Sequence, residues 1–473
     1  MEMNVGRLIP EFIMLGGAFV LLILEFFVPK GPRKWAGVFG MILSVIAAVV
    51  LFSTEYGTSL SGLFVQDAIS VYFKLLFLIV TALVFYLTIL YERHIENWRG
   101  EFYSLMLFCT VGFMFLSSSS DFIGFYVSLE LVAITLYILA AFTREKSQSV
   151  EAGLKYIVTG ALSSGFLLYG ISFIYGTTGA TGFADVAALV ANNEGNGFLA
   201  IGLALTVIGL TFKVSGVPFH VWAPDVYEGA PTPITALLAA GSKAAGFIVI
   251  IRILITALGS VRSEWLVLVS VISGATLIFG NLGAMPQKNI KRMIAYAGIG
   301  SAGYLFMAVA AASPLGVGAL MYYLSTYLFA ITGSFIALVV FYNSEGSYTI
   351  ESLAGLARRS PLLAITIFIG FLSLAGVPPL GGFIAKFYII AAAVQQGLWA
   401  LAIIGVLMAV VAMYYFLIVI RSMYLRPAVN TEKIRVDNYT RVILYGINAA
   451  TVILGMYPGP LTDWVMAIAE TLF

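Results

Sequence analysis

The sequence predicts an all-α integral membrane protein with about fourteen transmembrane helices. Of its 473 residues, 61% are apolar and only 10% are charged, and the mean hydropathy is +1.00. A soluble protein carries roughly a quarter charged residues on its surface, so this chain lacks a normal water-facing exterior. The formal net charge of +2 gives no strong basic field, which argues against nucleic acid as a partner.

Apolar stretches of about 20 residues, the length of one bilayer crossing, follow one another along the whole chain. Charged residues, glycines and prolines separate them. The predicted helices, numbered 1 to 14, lie at residues 9–28, 35–53, 68–90, 102–119, 121–142, 150–175, 197–222, 232–258, 264–284, 290–311, 317–342, 360–390, 398–420 and 441–468. We therefore expect residues 1–473 to form a single transmembrane domain.

The basic residues support this order of helices. Loops after odd-numbered helices carry most of the 25 Lys and Arg residues, whereas the opposite loops carry only Arg7 and Arg262. Basic loops of membrane proteins face the cytoplasm. Both termini are therefore predicted to lie on the non-cytoplasmic side.

Two predicted helices contain proline-bearing breaks. Helix 7 includes Gly-Val-Pro at 216–218, and helix 12 includes Gly-Val-Pro-Pro at 376–379 followed by two glycines at 381–382. Proline removes a backbone hydrogen bond and clashes with the preceding turn, so both helices should be interrupted there. The alternative is that these are ordinary prolines, which are common in membrane helices.

The two breaks also predict an internal repeat. They lie five helices apart, and because five is odd, the two units cross the membrane in opposite senses. Inverted repeats with broken helices typically line an ion path. We place the repeats at helices 4–8 (102–258) and helices 9–13 (264–420), with helices 1–3 (1–101) and helix 14 (441–468) outside them.

Four ionisable residues are predicted deep within helices: Glu130, Lys213, Lys243 and Lys386. A charge at a helix centre costs about 2.5–3.5 kcal/mol on insertion scales, so such residues usually mark an ion path. Three lysines cannot all pair with one glutamate, so some must be hydrated or uncharged. The alternatives are a static Glu130–Lys213 ion pair that fixes helix packing, and a hydrated Lys243 at a cavity wall.

Further polar residues have weaker signals. His220, inside the first break, is a candidate proton relay or a hydrogen-bonded packing residue. Lys155, near the start of helix 6, is a candidate relay or a side chain that reaches the membrane surface. Lys74 and Arg252, which lie nearer to helix ends or face an undetermined side, are interpreted as anchors. With Cys109 as the single cysteine and two histidines in the chain, we expect no metal or bound cofactor here.

Two strings carry a resemblance to a known family. Residues 212–233 read FKVSGVPFHVWAPDVYEGAPTP, and residues 289–296 read NIKRMIAY. Together with the stretches at 154–166 and 381–386, they resemble the subunit N family of the proton-pumping NADH-quinone oxidoreductase, respiratory complex I. The resemblance covers nearly the whole chain. The first string is specific to this family, whereas the second is shared with other antiporter-like subunits and with multisubunit cation/proton antiporters.

The resemblance implies roles for the deep residues. Glu130 and Lys213 would be the charge pair that gates one half-channel, Lys243 the central proton carrier, and Lys386 the relay to a second half-channel. The charge argument from the residues alone selects the same four positions. One departure is Ser301, where many relatives have a histidine.

The resemblance also implies the setting of the chain. It would be a translocating subunit of an enzyme complex in a bacterial plasma membrane, without a redox centre of its own. FMN and iron–sulfur clusters would belong to other subunits, and quinone would be a substrate of the complex. Partners would be lipid, small membrane subunits and a second antiporter-like subunit. The alternative function is a subunit of a multisubunit cation/proton antiporter.

Overall fold

The structure, a computed structural model, describes residues 5–27, 33–95, 99–191, 196–428 and 430–473. Within these residues the chain is nearly all helical. A single small hairpin, formed by β1 (Gly57–Ser59) and β2 (Phe64–Gln66), pairs antiparallel in the described part of the chain. The predicted all-α fold class is confirmed.

The helices follow one another with short connections. In chain order they are α1 (Ile9–Phe27), α2 (Lys34–Leu51), α3 (Ala68–Tyr91), α4 (Arg99–Ser118), α5 (Phe122–Ala140), α6 (Ser147–Thr178), α7 (Phe183–Val190), α8 (Gly197–Lys213), α9 (Trp222–Gly229), α10 (Thr232–Leu237), α11 (Lys243–Ile251), α12 (Arg262–Ala284), α13 (Ile290–Ala311), α14 (Pro314–Glu345), α15 (Leu356–Arg359), α16 (Pro361–Ala375), α17 (Gly381–Gln395), α18 (Trp399–Leu425), α19 (Asn438–Met456) and α20 (Gly459–Glu470). Two wider π turns, at Leu238–Ser242 and Arg252–Ala257, follow α10 and α11.

Twelve helical stretches in the described residues are long and apolar enough to cross a membrane. Three shorter apolar helices, α8, α16 and α17, accompany them. The short helices lie where the sequence predicts breaks, because a proline-bearing segment follows α8 and another separates α16 from α17. The count of fourteen and the two repeats stay predictions.

The last predicted helix, at 441–468, is wrong as a single element. Helix α19 ends at Met456 and α20 begins at Gly459. Pro458 and Pro460 lie at this junction, and neither has a backbone N–H to continue the hydrogen-bond ladder. The hairpin and the short helix α7 were not predicted either.

The chain forms two compact units. The first comprises residues 1–222 and 229–269, and the second comprises 223–228 and 270–473. In the first, the stretch from Thr232 to Ala257 is buried except at Thr256, while much of α1, α2 and α6 is exposed. In the second, α13 and α14 are enclosed and α18 is mostly exposed. The exposed faces are apolar, as expected for helices that contact lipid or other membrane subunits.

Polar side chains cap α5 and α8, the helices that carry Glu130 and Lys213. The Asp121 carboxylate accepts hydrogen bonds from Ile123 and Gly124 at the start of α5, and Asn196 caps α8 in the same way. Free backbone N–H groups are costly in a membrane, and these caps satisfy them. The starts of the two helices are thereby fixed.

Candidate functional site

The first helix interruption follows directly after Lys213. Helix α8 ends at this residue, and Ser215 takes a left-handed conformation with φ of 58°. The amide of Gly216 donates back to the carbonyl of Thr211 at 2.7 Å, and the Val217–Pro218 bond is cis. The backbone groups freed by the break are thus partly satisfied, while the lysine is held at the end of the helix.

Lys213 is a buried amine without a hydrogen-bond partner. Its side chain is 8% exposed, and Nζ contacts no hydrogen-bonding atom in the described part of the chain. One aromatic ring faces it: Nζ lies 5.4 Å from the ring centre of Phe212, which packs against Tyr156 and Trp222. Such rings stabilise a cation weakly but supply no proton acceptor.

Glu130 lies in α5 and is half-buried. Its Oε1 accepts a hydrogen bond of 2.7 Å from the hydroxyl of Ser164 in α6. It forms no hydrogen-bonded ion pair with Lys213, whose amine has no such partner among the described residues. Glu130 therefore acts on Lys213 electrostatically, without a direct hydrogen bond between the two groups in the described residues.

Lys243 begins α11, directly after the π turn at Leu238–Ser242. Its side chain is 3% exposed. One turn further along, Gly246 allows close approach to the first interruption, because a Cβ at this position would lie 2.4 Å from Cγ1 of Val214 and 3.5 Å from Cβ of Lys213. The helix segment of Lys243 thus packs directly against Lys213. Wide π turns of this kind are frequent at functional sites.

The second interruption has a similar construction. Helix α16 ends at Ala375, and Gly376 takes a left-handed φ of 87°. The Pro378–Pro379 bond is cis, and α17 begins at Gly381. A Cβ at Gly382 would lie only 1.8 Å from the carbonyl oxygen of Ser373, so the start of α17 requires glycine at this position.

Lys386 lies in α17 and turns back to this interruption. Its Nζ donates to the carbonyl oxygens of Leu374 and Ala375, both at 2.9 Å, and lies 4.7 Å from the ring centre of Tyr304. The side chain is 6% exposed. These carbonyls are freed by the end of α16, so the amine replaces the missing helical hydrogen bonds.

A small cavity adjoins Lys386. Its volume is about 10 Å³, which is the smallest space that holds one water molecule. Its polar wall residues are Asn281, Ser301, Tyr304, Tyr327, Tyr415 and Lys386. We call this space the Lys386 cavity. Polar walls around so small a space are suited to a single bound water.

The described residues contain no group of three or more His, Cys, Asp or Glu side chains that could hold a metal ion. A family model described as "NADH:quinone oxidoreductase/Mrp antiporter, TM" matches residues 119–412. NADH-quinone oxidoreductase subunit N of Moorella thermoacetica is 40% identical, with 99% of each chain covered. This chain belongs to the subunit N family.

Solved structures agree with that assignment. A chain of respiratory complex I from Thermus thermophilus has a TM-score of 0.82 at 30% identity, over 96% of this chain and 98% of that chain. A chain of the Mrp complex from Dietzia has a TM-score of 0.85 at 22% identity, over 99% and 98%. The second similarity concerns the fold alone. The subunit N family and the Mrp antiporters thus share one architecture.

The two candidate relays of this subunit N family member lie outside the buried groups. His220 is half-buried in the first interruption, with Nδ1 3.3 Å from the carbonyl of Pro218. Lys155 is 43% exposed and forms a 2.8 Å ion pair with Glu151, one turn away in α6. The structure does not bring Lys155 to the interior, and the relay roles of both residues stay predictions.

The interpretation of Lys74 as an anchor near a helix end is wrong. Lys74 and Glu11 are both fully buried, and their charged atoms lie 2.6 Å apart. The amine also donates to the side chain of Gln66, which donates in turn to Thr54 at 2.9 Å. Glu11 lies inside the first predicted helix, and an acidic residue at this position indicates a buried basic partner. This signal was not used in the prediction.

The interpretation of Arg252 as an anchor is also wrong. Its guanidinium is 4% exposed and holds both carboxylate oxygens of Asp67, at 2.8 and 3.2 Å, and the carbonyl of Ser117 at 2.7 Å. Asp67 in turn caps α3. The arginine therefore ties the second π turn to the start of α3 and the end of α4.

Proposed function

We propose that this chain is a proton-translocating membrane subunit of an NADH-quinone oxidoreductase. The observation that carries the proposal is the pair of lysines at the two helix interruptions. Among the described residues, Lys213 is buried without a hydrogen-bond partner, and the Lys386 amine contacts two backbone carbonyls and an aromatic ring, all of them neutral. Membership of the subunit N family supports the same reading.

The chemistry in the first unit is electrostatic. A buried ammonium costs about 2.5–3.5 kcal/mol in a membrane, so a carboxylate that comes closer stabilises it and one that moves away favours loss of the proton. Glu130 accepts a hydrogen bond from Ser164 and acts on Lys213 across the distance between them, without a hydrogen bond to the amine. A change in that distance would alter the charge on Lys213, and Lys243 is the next carrier on the packed helix.

The proposal includes the role of Lys386 as the relay of the second unit. It also includes the setting: a multi-pass subunit of the bacterial plasma membrane, with both termini on the non-cytoplasmic side. FMN and iron–sulfur clusters would lie in other subunits, with quinone as the substrate of the complex. A second antiporter-like subunit and small membrane subunits would be its neighbours.

The test uses Lys213→Ala and Lys243→Ala in the assembled complex. We expect both variants to retain assembly and to lose most of the NADH-driven proton pumping of membrane vesicles. Lys433→Ala is the matched control, because Lys433 is exposed in the connection before α19. Normal pumping in a correctly assembled Lys213 or Lys243 variant would refute the proposed function.

The second candidate is a subunit of a cation/proton antiporter without a redox partner. Two observations support this second candidate: the family model includes Mrp antiporters, and the Dietzia Mrp chain has the same fold. Native electrophoresis of mildly solubilised host membranes separates the two functions. Co-migration of the chain with flavin and NADH-oxidising activity supports the oxidoreductase. A smaller particle without either, together with sodium sensitivity and unaltered quinone reduction on deletion, supports the antiporter.

A further inference from the structure

A groove lies between the start of α4 and the end of α5, in the first unit. Its volume is about 490 Å³, within the range of about 300–1,000 Å³ that is typical of small-ligand sites. Its wall consists of Glu101, Leu105, Ile138, Ala141, Phe142 and Arg144. We call this space the α4–α5 groove. None of the deep lysines contributes to its wall, so the groove is separate from the candidate functional site.

The charged residues of the α4–α5 groove lie at one end of it. Glu101 is in the first turn of α4, and Arg144 follows the last residue of α5 by four positions. Leu105 lies one turn further along α4 than Glu101, which is about 6 Å at 1.5 Å per residue, and Ile138 lies inside α5. The groove is therefore charged at the helix ends, where lipid headgroups begin, and apolar deeper in the membrane. A phospholipid has the same polarity.

The two charges are not used up by contacts within the groove. Glu101 and Arg144 form no ion pair with each other, and Glu101 Oε2 is shielded from solvent without a hydrogen-bond partner in the described residues. Arg33 already pairs with Glu25 at 2.9 Å, and that carboxylate lies against Gly100 at the same end of α4. A buried acceptor without a donor is costly. The carboxylate of Glu101 therefore indicates a ligand that brings a donor.

The apolar wall can hold an acyl chain. Ile138, Ala141 and Phe142 are three and four residues apart, so they share one face near the end of α5. The ring of Phe142 packs edge-to-face on Phe102 of α4, with ring centres 4.9 Å apart, which fixes the floor of the groove. Ile138 is 45% exposed, and Ile134, one turn deeper, is 53% exposed. These two isoleucines continue the apolar surface from the groove into the membrane.

We propose that the α4–α5 groove binds a phospholipid with a primary-ammonium headgroup, of the phosphatidylethanolamine type. The guanidinium of Arg144 donates to the phosphate, and the carboxylate of Glu101 accepts from the ammonium. One acyl chain lies along Leu105 and Ile138. This inference does not depend on the proposed proton translocation.

The charges select the headgroup. A zwitterionic lipid matches both the positive and the negative residue of the groove, whereas an anionic lipid matches only Arg144 and is repelled by Glu101. A choline headgroup carries a quaternary nitrogen without N–H donors, so it leaves the Glu101 oxygen without a hydrogen bond. A primary ammonium supplies three donors, as in lysine.

The experiment uses the whole complex in vesicles of phosphatidylcholine and phosphatidylglycerol. The vesicles contain a small fraction of a probe lipid with a photoactivatable acyl chain and either an ethanolamine or a choline headgroup. After illumination, mass spectrometry locates the labelled peptides, and labelling of α4 and α5 is divided by that of the other membrane-spanning peptides. We expect the ethanolamine probe to label this region at least tenfold more than the choline probe, equal to about 1.4 kcal/mol.

Two single substitutions test the role of the carboxylate. Glu101→Gln should lower labelling by the ethanolamine probe about tenfold and leave labelling by the choline probe unchanged. Glu145→Gln is the matched control, because it removes an exposed carboxylate next to Arg144 that is not part of the groove wall. If Glu101→Gln does not assemble, Ile138→Trp replaces it. This change fills the groove from its exposed wall and should abolish labelling by the ethanolamine probe.

Three results would overturn the proposal. Equal labelling of the groove by both probes, or equal labelling of the wild type and Glu101→Gln, means that ordinary bulk lipid lies there. Absence of labelling in the wild type, while other membrane-spanning peptides are labelled, means that another membrane subunit covers the groove. Labelling is measured without NADH, so failure of the lipid site and failure of the proposed proton pumping are distinguished.

Discussion

Removal of one partner from the buried Glu11–Lys74 pair should destabilise the first unit strongly. Both side chains are fully buried, and the charged atoms are 2.6 Å apart. Lys74→Met keeps an unbranched apolar chain in place but leaves the carboxylate of Glu11 without its counter-charge. Gln66 does not replace it, because its side-chain oxygen accepts from the lysine and its amide nitrogen donates to Thr54.

The magnitude follows from burial. Breaking a buried ion pair by removing one partner costs about 3–5 kcal/mol, whereas replacing both partners with apolar residues is often neutral or stabilising. We therefore expect Lys74→Met to lower the free energy of unfolding by about 3–5 kcal/mol, and the double change Glu11→Leu, Lys74→Met to recover most of that loss.

Cys109 provides the measurement. It is fully buried in α4, and its thiol reacts with an alkylating reagent only when this part of the chain opens. Alkylation of Cys109 in the purified complex can be followed by mass spectrometry of its peptide. If closing outpaces labelling, each 1.4 kcal/mol of lost stability raises the rate about tenfold, so Lys74→Met should react roughly a hundred to several thousand times faster.

Lys155→Met is the matched control for this experiment. Lys155 also pairs with a glutamate in the first unit, but both side chains are exposed, at 43% and 63%. Such a pair contributes about 0.3–0.5 kcal/mol, so alkylation should change less than about threefold. Equal rates for the single and double variants at positions 11 and 74 would refute the pairing argument.

Two further predictions concern positions outside the buried lysines. Burial alone would raise the pKa of Asp67, but the guanidinium of Arg252 and hydrogen bonds from Ser70 outweigh it and hold the pKa below the ordinary 3.8. The ionised carboxylate therefore stabilises the folded chain above pH 3.8, and this stabilisation is lost as the pH falls through the lower pKa of the folded state. We expect Asp67→Asn to be less stable than the wild type at pH 7. Its rate of Cys109 alkylation should also rise less on acidification than the wild-type rate does. Gly382→Ala places a Cβ 1.8 Å from a backbone oxygen and should reduce the amount of assembled complex on native gels, whereas Gly446→Ala meets nothing within 4 Å and should leave it unchanged.

The sequence predicted the features that depend on local composition. Apolar length identifies the helices, and prolines identify the interruptions after Lys213 and before Lys386. The end of α19 was missed because Pro458 lies in an apolar stretch that continues to residue 468, so length outweighed the break. Hydropathy is averaged over a window of residues, so it does not detect the single backbone N–H that a proline lacks.

Contacts between distant parts of the chain could not be predicted in the same way. Arg252 and Asp67 are separated by 185 residues, and their pairing depends on how α3 packs against the later helices. The hydrogen bond from Tyr304 to the carbonyl of Gly405 likewise depends on the rotation of two helices about their axes. The depth of a residue in the membrane can be counted from the end of its helix, whereas the neighbour that its side chain faces cannot be read from the sequence.

The partners of the buried cations distinguish structural charges from exchangeable ones. Lys74 is a structural charge, because it pairs with the buried carboxylate of Glu11, and removal of either partner would leave the other buried without a counter-charge. Lys386 donates to two carbonyl oxygens and faces an aromatic ring, and these groups are neutral whether or not the proton is present. Loss of the proton there leaves no buried charge behind. A lysine that is to pass protons through a membrane should therefore lack a permanent ion-pair partner, which is the arrangement at Lys386.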